Sequence, residues 1–269
     1  MGTYNGTPGN DTIIGSNSSD VINALGGDDV INGRAGDDDI DGGTGSDTIY
    51  GGAGNDHILG KTPGIGDWND RDTIYGGSGD DWIYGNGGEH DGYSPDGTDY
   101  IYGGDGNDHL YGKLGDDVLH GGNGNDLLGG YYGLDSMYGD AGNDTLKGRF
   151  EGDVLSGGSG NDTYQYVETR DSTPKSKDII LDFDNVGAKV GDRIDLHLID
   201  ANENAGGNQA FVFIGTAAIT GPGQVRVEAH GPHTLIQANT GGTLAPDLEI
   251  LVRDGNPGPG DWHASDFIL

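Results

Sequence analysis

Gly51-Gly52-Ala53-Gly54-Asn55-Asp56-His57-Ile58-Leu59 is the stretch that decides the fold, because it recurs. Laid along the chain, it sets a nine-residue register that persists from Gly6 to Gln165. The aspartate at its sixth position returns at Asp11, Asp20, Asp29, Asp38, Asp47 and Asp56, then at Asp72 and Asp81. It continues through Asp99, Asp108, Asp117, Asp126, Asp135, Asp144, Asp153 and Asp162. Every step is nine residues except Asp56 to Asp72, which is sixteen, and Asp81 to Asp99, which is eighteen. A fixed period held this long marks a repeat architecture.

The eighth position is apolar throughout, from Ile13, Ile22 and Ile31 to Leu146, Leu155 and Tyr164. One large apolar residue in nine, flanked by polar ones, fits a short strand with a single inward side chain. The residues before it are glycine, asparagine and aspartate, which form turns. Each repeat is therefore a turn plus a short strand, and two repeats make one coil. The strands stack into two parallel sheets, an all-β parallel roll. Sixteen repeats make eight coils, spanning roughly 38 Å at ~4.8 Å per strand.

Composition says that such a roll needs help. Only 32% of the 269 residues are hydrophobic and 56 are glycine, which is costly to order and packs nothing. With no cysteine, disulfides supply no stability. The formal charge of −32 repels nucleic acid and anionic membranes. Low hydrophobicity with high charge also suits a disordered acidic tail, but here every acid is tied to a glycine turn. A hard cation such as Ca2+ takes six to eight oxygens, at about 2.3–2.6 Å, from carboxylates and carbonyls. The sixth-position aspartates beside loop carbonyls offer that set when turns stack. Magnesium demands tighter octahedral geometry, and zinc lacks clustered cysteine or histidine.

The repeats resemble those of the RTX, or hemolysin-type calcium-binding, family. Six keep all three glycines and the aspartate, beginning at Gly42, Gly51, Gly76, Gly103, Gly121 and Gly157. Five more, beginning at Gly6, Gly33, Gly112, Gly130 and Gly139, lack only the second glycine. The resemblance implies a right-handed parallel β-roll, each calcium held between turns of neighbouring coils on one edge. The sixteen aspartates are the expected ligands, with on the order of ten ions bound at the ligand number calcium prefers. Weaker or missing sites are expected at Asp20, Asp72, Asp99 and Asp153, whose loops depart from the pattern or follow insertions near 60–66 and 85–93.

After Gln165 the register stops, which divides the chain into a roll over 1–165 and a β-rich cap over 166–269. Strands are expected at 178–183, 192–196, 209–215 and 248–252, with turns at Gly221-Pro222-Gly223 and 255–260. From about Asp178 onward the sequence resembles the C-terminal secretion region of serralysin-type metalloproteases. Asp266-Phe267-Ile268-Leu269 carries that resemblance best; in that family such an end belongs to an uncleaved signal read by a type I exporter. Met1-Gly2-Thr3-Tyr4 has neither the charge nor the apolar run of a secretory signal. These features imply a secreted, extracellular protein of a Gram-negative bacterium. In the calcium-poor cytosol it stays unfolded, and calcium outside turns binding free energy into folding free energy.

No catalytic constellation accompanies these features. H-E-x-x-H, G-x-S-x-G and a phosphate loop are absent, and the eight histidines are scattered. His230 and His233 fall in a Gly-Pro turn. Tyr50, Tyr75, Tyr84, Tyr102, Tyr111 and Tyr138 recur at the ninth position, and Trp68, Trp82 and Tyr93 lie in or near the insertions. Cross-strand stacking on an outer sheet face explains the tyrosines first; a platform for polysaccharide, as in alginate epimerase R-modules, is the functional reading. A stand-alone calcium-binding protein is the expected function, and the C-terminal module of a larger secreted enzyme is the alternative.

Overall fold

The computed structural model describes residues 1–61, 70–86, 97–187, 191–241, 243–253 and 258–269. The centres of both insertions, with Trp68, His90 and Tyr93, and residues 255–257 of the turn expected over 255–260 lie outside the described residues.

Among these, each repeat forms one short strand, and successive strands alternate between two parallel sheets. The first sheet starts at Thr3–Asn5 and Val21–Asn23 and runs through every second repeat to Thr163–Gln165. The second starts at Thr12–Ile14 and Val30–Ala35 and runs to Val154–Ser156. This is the parallel roll that the nine-residue period requires.

Register holds because the eighth position always falls on its equivalent one coil away. Ile31 pairs with Ile49, Ile49 with Ile74, Ile74 with Ile101 and Ile101 with Leu119. The sixteen- and eighteen-residue steps therefore lengthen single turns and leave the ladder unslipped. A slip of one residue would turn the isoleucine out to water. Side chains at this position, from Ile31 to Leu146, are fully buried, and the two columns form one narrow core.

Both sheets continue past the last repeat. Arg193–Asp195 and then Phe267–Ile268 extend the first sheet in parallel. Asp178–Ile180 and Leu248–Val252 extend the second, after which pairing turns antiparallel through His233–Asn239 and Gln224–His230. The core passes unbroken into Ile180, Phe183, Ile194, Ile250, Trp262 and Phe267. The strand expected over 209–215 reduces to Val212–Phe213. His230 and His233 pair as the ends of a hairpin, flanking its two-residue turn of Gly231, at φ 65°, and Pro232. Glycine reaches that backbone angle without a Cβ penalty.

Candidate metal centre

The turns line the two edges of the roll, and alternate repeats go to alternate edges. One edge carries Asp11, Asp29, Asp47, Asp72, Asp99, Asp117, Asp135 and Asp153. The other carries Asp20, Asp38, Asp56, Asp81, Asp108, Asp126, Asp144 and Asp162. Along each, the backbone N–H of one aspartate donates to Oδ1 of the aspartate a coil further on. The distances are 2.7 Å from Asp11 to Asp29, 2.8 Å from Asp108 to Asp126 and 2.8 Å from Asp144 to Asp162. These hydrogen bonds lock the carboxyls into a column.

The second oxygen is the informative one. Oδ2 is buried without a hydrogen-bond partner at Asp29, Asp38, Asp47, Asp56, Asp81, Asp108, Asp126, Asp135, Asp144, Asp153 and Asp162. A buried polar atom left unpaired costs about 1–3 kcal/mol, more when charged. Eleven in register are a demand for a cation. Burial accordingly pushes the carboxyls of Asp47, Asp108 and Asp144 up to about 7 and that of Asp81 to about 8. At Asp153 burial, then the neighbouring Asp178 carboxyl, pushes the value well above the usual carboxylate range.

The glycines bring backbone carbonyl oxygens close to one another along the same turns. Position four sits at positive φ, 138° at Gly124 and 148° at Gly142. A Cβ on Gly124 would lie 1.6 Å from the Gly106 carbonyl oxygen, and one on Gly142 would lie 1.4 Å from that of Gly124. Position two stacks likewise, since a Cβ on Gly104 would lie 2.1 Å from the Gly77 oxygen. Two columns of carbonyl oxygens thus run along the turns that carry the carboxylate column. The first glycine has a different role. A Cβ on Gly121 would meet Asp126 Oδ2 at 2.4 Å, so this position makes room for the carboxyl.

Among the described residues no three His, Asp or Glu side chains gather into a metal-binding group. A cation here rests on a carboxylate or two plus backbone carbonyls, a hard all-oxygen set that suits Ca2+. The columns fit that ion.

The RTX calcium-binding nonapeptide repeat family matches residues 5–40, 32–62, 69–89, 96–128 and 129–164, more than half of the chain. The chain belongs to this family. Its RTX repeats bind Ca2+ at several sites. No curated protein matches the chain. Among solved structures it is similar to the AlgE6R3 subunit from the Azotobacter vinelandii mannuronan C5-epimerase, at 22% identity and a TM-score of 0.28, over 78% of this chain and 83% of that one.

The RTX ladder is not uniform. At its start Thr7 donates its N–H and Oγ1 to Asp11 Oδ2 at 2.5 and 2.9 Å. Ser16 donates its N–H and Oγ to Asp20 Oδ2 at 2.6 and 2.8 Å, and Gly2 N–H donates to Asp20 Oδ1 at 2.5 Å. The Ser16 N–H holds the Asp20 carboxyl below its usual range, against the trend elsewhere. Protein donors thus seal the first two turns.

The two edges also differ. Five of the six fullest repeats, ending at Asp56, Asp81, Asp108, Asp126 and Asp162, share one edge. There the fifth position adds an amide ladder in which Asn125 and Asn143 donate N–H to Asn107 and Asn125 Oδ1 at 2.8 Å. The opposite edge takes both insertions and places Leu25, Lys61, Lys113, Tyr131 and Arg149 at position two.

Past the last repeat, Asp178 and Asp192 occupy ladder positions that the repeat register did not indicate. Asp178 Oδ1 accepts the Asp153 N–H at 3.0 Å, and Asp192 Oδ1 accepts that of Asp162 at 2.8 Å. Their signal was the aspartate two residues before a buried isoleucine, Ile180 and Ile194. Among the repeat histidines, His57 faces Asp39 at 2.9 Å and His120 faces Asp140 at 3.1 Å, both near the surface.

Proposed function

We propose that this chain is an exported calcium-binding roll, with no catalytic role, that folds outside the cell. The observation that carries the reading is the column of buried, unpaired Oδ2 atoms from Asp29 to Asp162. The aspartates of the ladder, with the carbonyls of positions two and four, hold the ions. Asp11 and Asp20 are the weakest positions, because protein donors already occupy their second oxygen. Calcium, when bound, supplies the charge and coordination that these oxygens lack. Without it the carboxylates repel along each edge, and a glycine-rich chain of formal charge −32 has too little core to order itself.

Residues 166–269 act as the cap and carry the export region. Phe267 is buried against Phe213 and Trp262, with ring centroids 5.0 and 5.7 Å apart, and Asp266 is buried beside it. An exporter can read Asp266-Phe267-Ile268-Leu269 only in the unfolded chain, which suits folding that waits for extracellular calcium.

Polysaccharide is the partner we assign to the outer face of the first sheet. On the second sheet Tyr50, Tyr75 and Tyr102 stack face to face at 5.0 Å, and His120 continues the stack at 5.3 Å from Tyr102 and 4.6 Å from Tyr138, so their ring faces are covered by one another. On the first, Tyr111 and Tyr131 meet edge-on at 6.1 Å, with Lys113 4.3 Å above the Tyr131 ring. Lys113 covers one face of Tyr131, and the edge-on break leaves the rest of this half-exposed ring uncovered by another ring, as a surface for a sugar. Export is tested with the full chain in a Gram-negative host carrying a type I exporter. The intact chain is expected in the medium and a chain lacking Asp266–Leu269 in the cytoplasm; equal export would remove the signal reading. Affinity electrophoresis in polysaccharide gels tests the face: Tyr131→Ala should reduce retardation and Tyr75→Ala should not.

A further inference from the structure

The two edges end differently beyond the last repeat. Asp178 is fully buried, its Oδ1 takes the Asp153 N–H at 3.0 Å, and its carboxyl is approached by the Tyr166 hydroxyl, with Oδ2 left without a close hydrogen bond. Asp153, one coil back, is equally buried and keeps an unpaired Oδ2. The segment before Asp178 lies over the Gly148–Asp153 turn as another repeat would. A Cβ on Gly152 would meet the Lys177 carbonyl oxygen at 3.1 Å. Asp171 is also buried with one unpaired oxygen, and the buried Tyr166 hydroxyl lies among all three carboxyls. On the other edge Asp192 is complete, its Oδ1 accepting from Asp162 N–H at 2.8 Å and its Oδ2 from Asp184 N–H at 2.7 Å.

We infer that Asp153 and Asp178 together hold a calcium ion between the last repeat and the cap, and that the Asp192 end holds none. The site rests on the reading that ladder aspartates bind calcium, but half of it lies outside the matched repeats. Two buried carboxylates, each with an unsatisfied oxygen, do not stay charged side by side without a cation. The bound ion would tie the cap to the roll, so that the cap docks only on a calcium-loaded end.

Native mass spectrometry of the calcium-saturated full chain counts the ions directly. Asp178→Asn should carry one ion fewer than the unaltered chain, Asp192→Asn the same number, and the repeat control Asp126→Asn fewer. An unchanged count in Asp178→Asn, with a loss in Asp126→Asn, overturns the junction site alone. Unchanged counts in both overturn the ladder reading beneath it. If Asp178→Asn fails to fold in calcium, Tyr166→Phe serves instead. Loaded with Tb3+, it should lose part of the tyrosine-sensitised emission, and undiminished emission would contradict the site.

Discussion

Replacing Gly124 with alanine should damage the roll far more than the loss of two hydrogens suggests. The residue sits at φ 138°, and a Cβ there would lie 1.6 Å from the Gly106 oxygen and 2.5 Å from its carbon. A side chain held in that region costs about 1–3 kcal/mol in backbone strain alone. Relief by moving the Gly106 carbonyl would break the oxygen column that we propose faces calcium. We expect a loss of about 2–3 kcal/mol, roughly 30- to 150-fold in the folding equilibrium. Gly122, at φ 109°, is the informative neighbour, because the chain already accepts side chains at position two. Arg34, Lys113, Tyr131 and Arg149 settle there at φ between 80° and 83°. A Cβ on Gly122 would also meet the Gly104 oxygen, at 2.1 Å, but a shift towards the φ of those residues relieves it, so Gly122→Ala should cost about 1–2 kcal/mol, less than Gly124→Ala. Gly221, with nothing within 4 Å of a Cβ, serves as the neutral control. Urea unfolding in saturating calcium, followed by far-UV circular dichroism, orders the three variants. A Gly124→Ala midpoint no lower than that of Gly122→Ala would refute the carbonyl-column argument.

Three further outcomes follow from the same geometry. Leu119→Ala, at a fully buried position of the single-file core, should lower stability in calcium by about 2–5 kcal/mol in the same unfolding assay. Tyr75→Ala removes two stacked contacts at 5.0 Å and should cost about 1 kcal/mol while leaving calcium binding unchanged by titration calorimetry. In the metal-free chain, carboxyls raised to about 7 at Asp47 and Asp108 and about 8 at Asp81 favour the folded state when protonated. That stabilisation is fully present below the unfolded value near 4 and is lost as pH rises through 7 to 8. Circular dichroism in chelator should thus show more β structure at pH 4–5 than at pH 8, whereas calcium affinity should rise over the same interval.

Much of this molecule could be read from residue order, because the nine-residue period fixes two things at once. One isoleucine or leucine per repeat has nowhere to go but the shared core, and one aspartate per repeat then falls on an edge. The long steps to Asp72 and Asp99 did not obscure this, since Ile74 and Ile101 resume the column. Harder to see were features set by partners distant in sequence. Asp178 and Asp192 follow their ladder neighbours by 25 and 30 residues rather than eighteen, Asp178 without the preceding glycines and Asp192 with neither the second nor the fourth-position one. The sealing of Asp20 depends on Ser16 and on Gly2, eighteen residues earlier. His233–Asn239 lies between two strands and is buried along nearly its whole length, so it lacks the polar alternation that marks a half-exposed strand. The difference between the edges emerges only when alternate repeats are sorted apart.

The central claim is that the unpaired Oδ2 column makes folding depend on calcium. A calcium titration of the chelator-treated chain, followed by far-UV circular dichroism with magnesium as control, tests it most directly. A cooperative rise of β signal with calcium and none with magnesium is the predicted result. A spectrum already β-rich in chelator at pH 8, and unchanged by calcium, would contradict it.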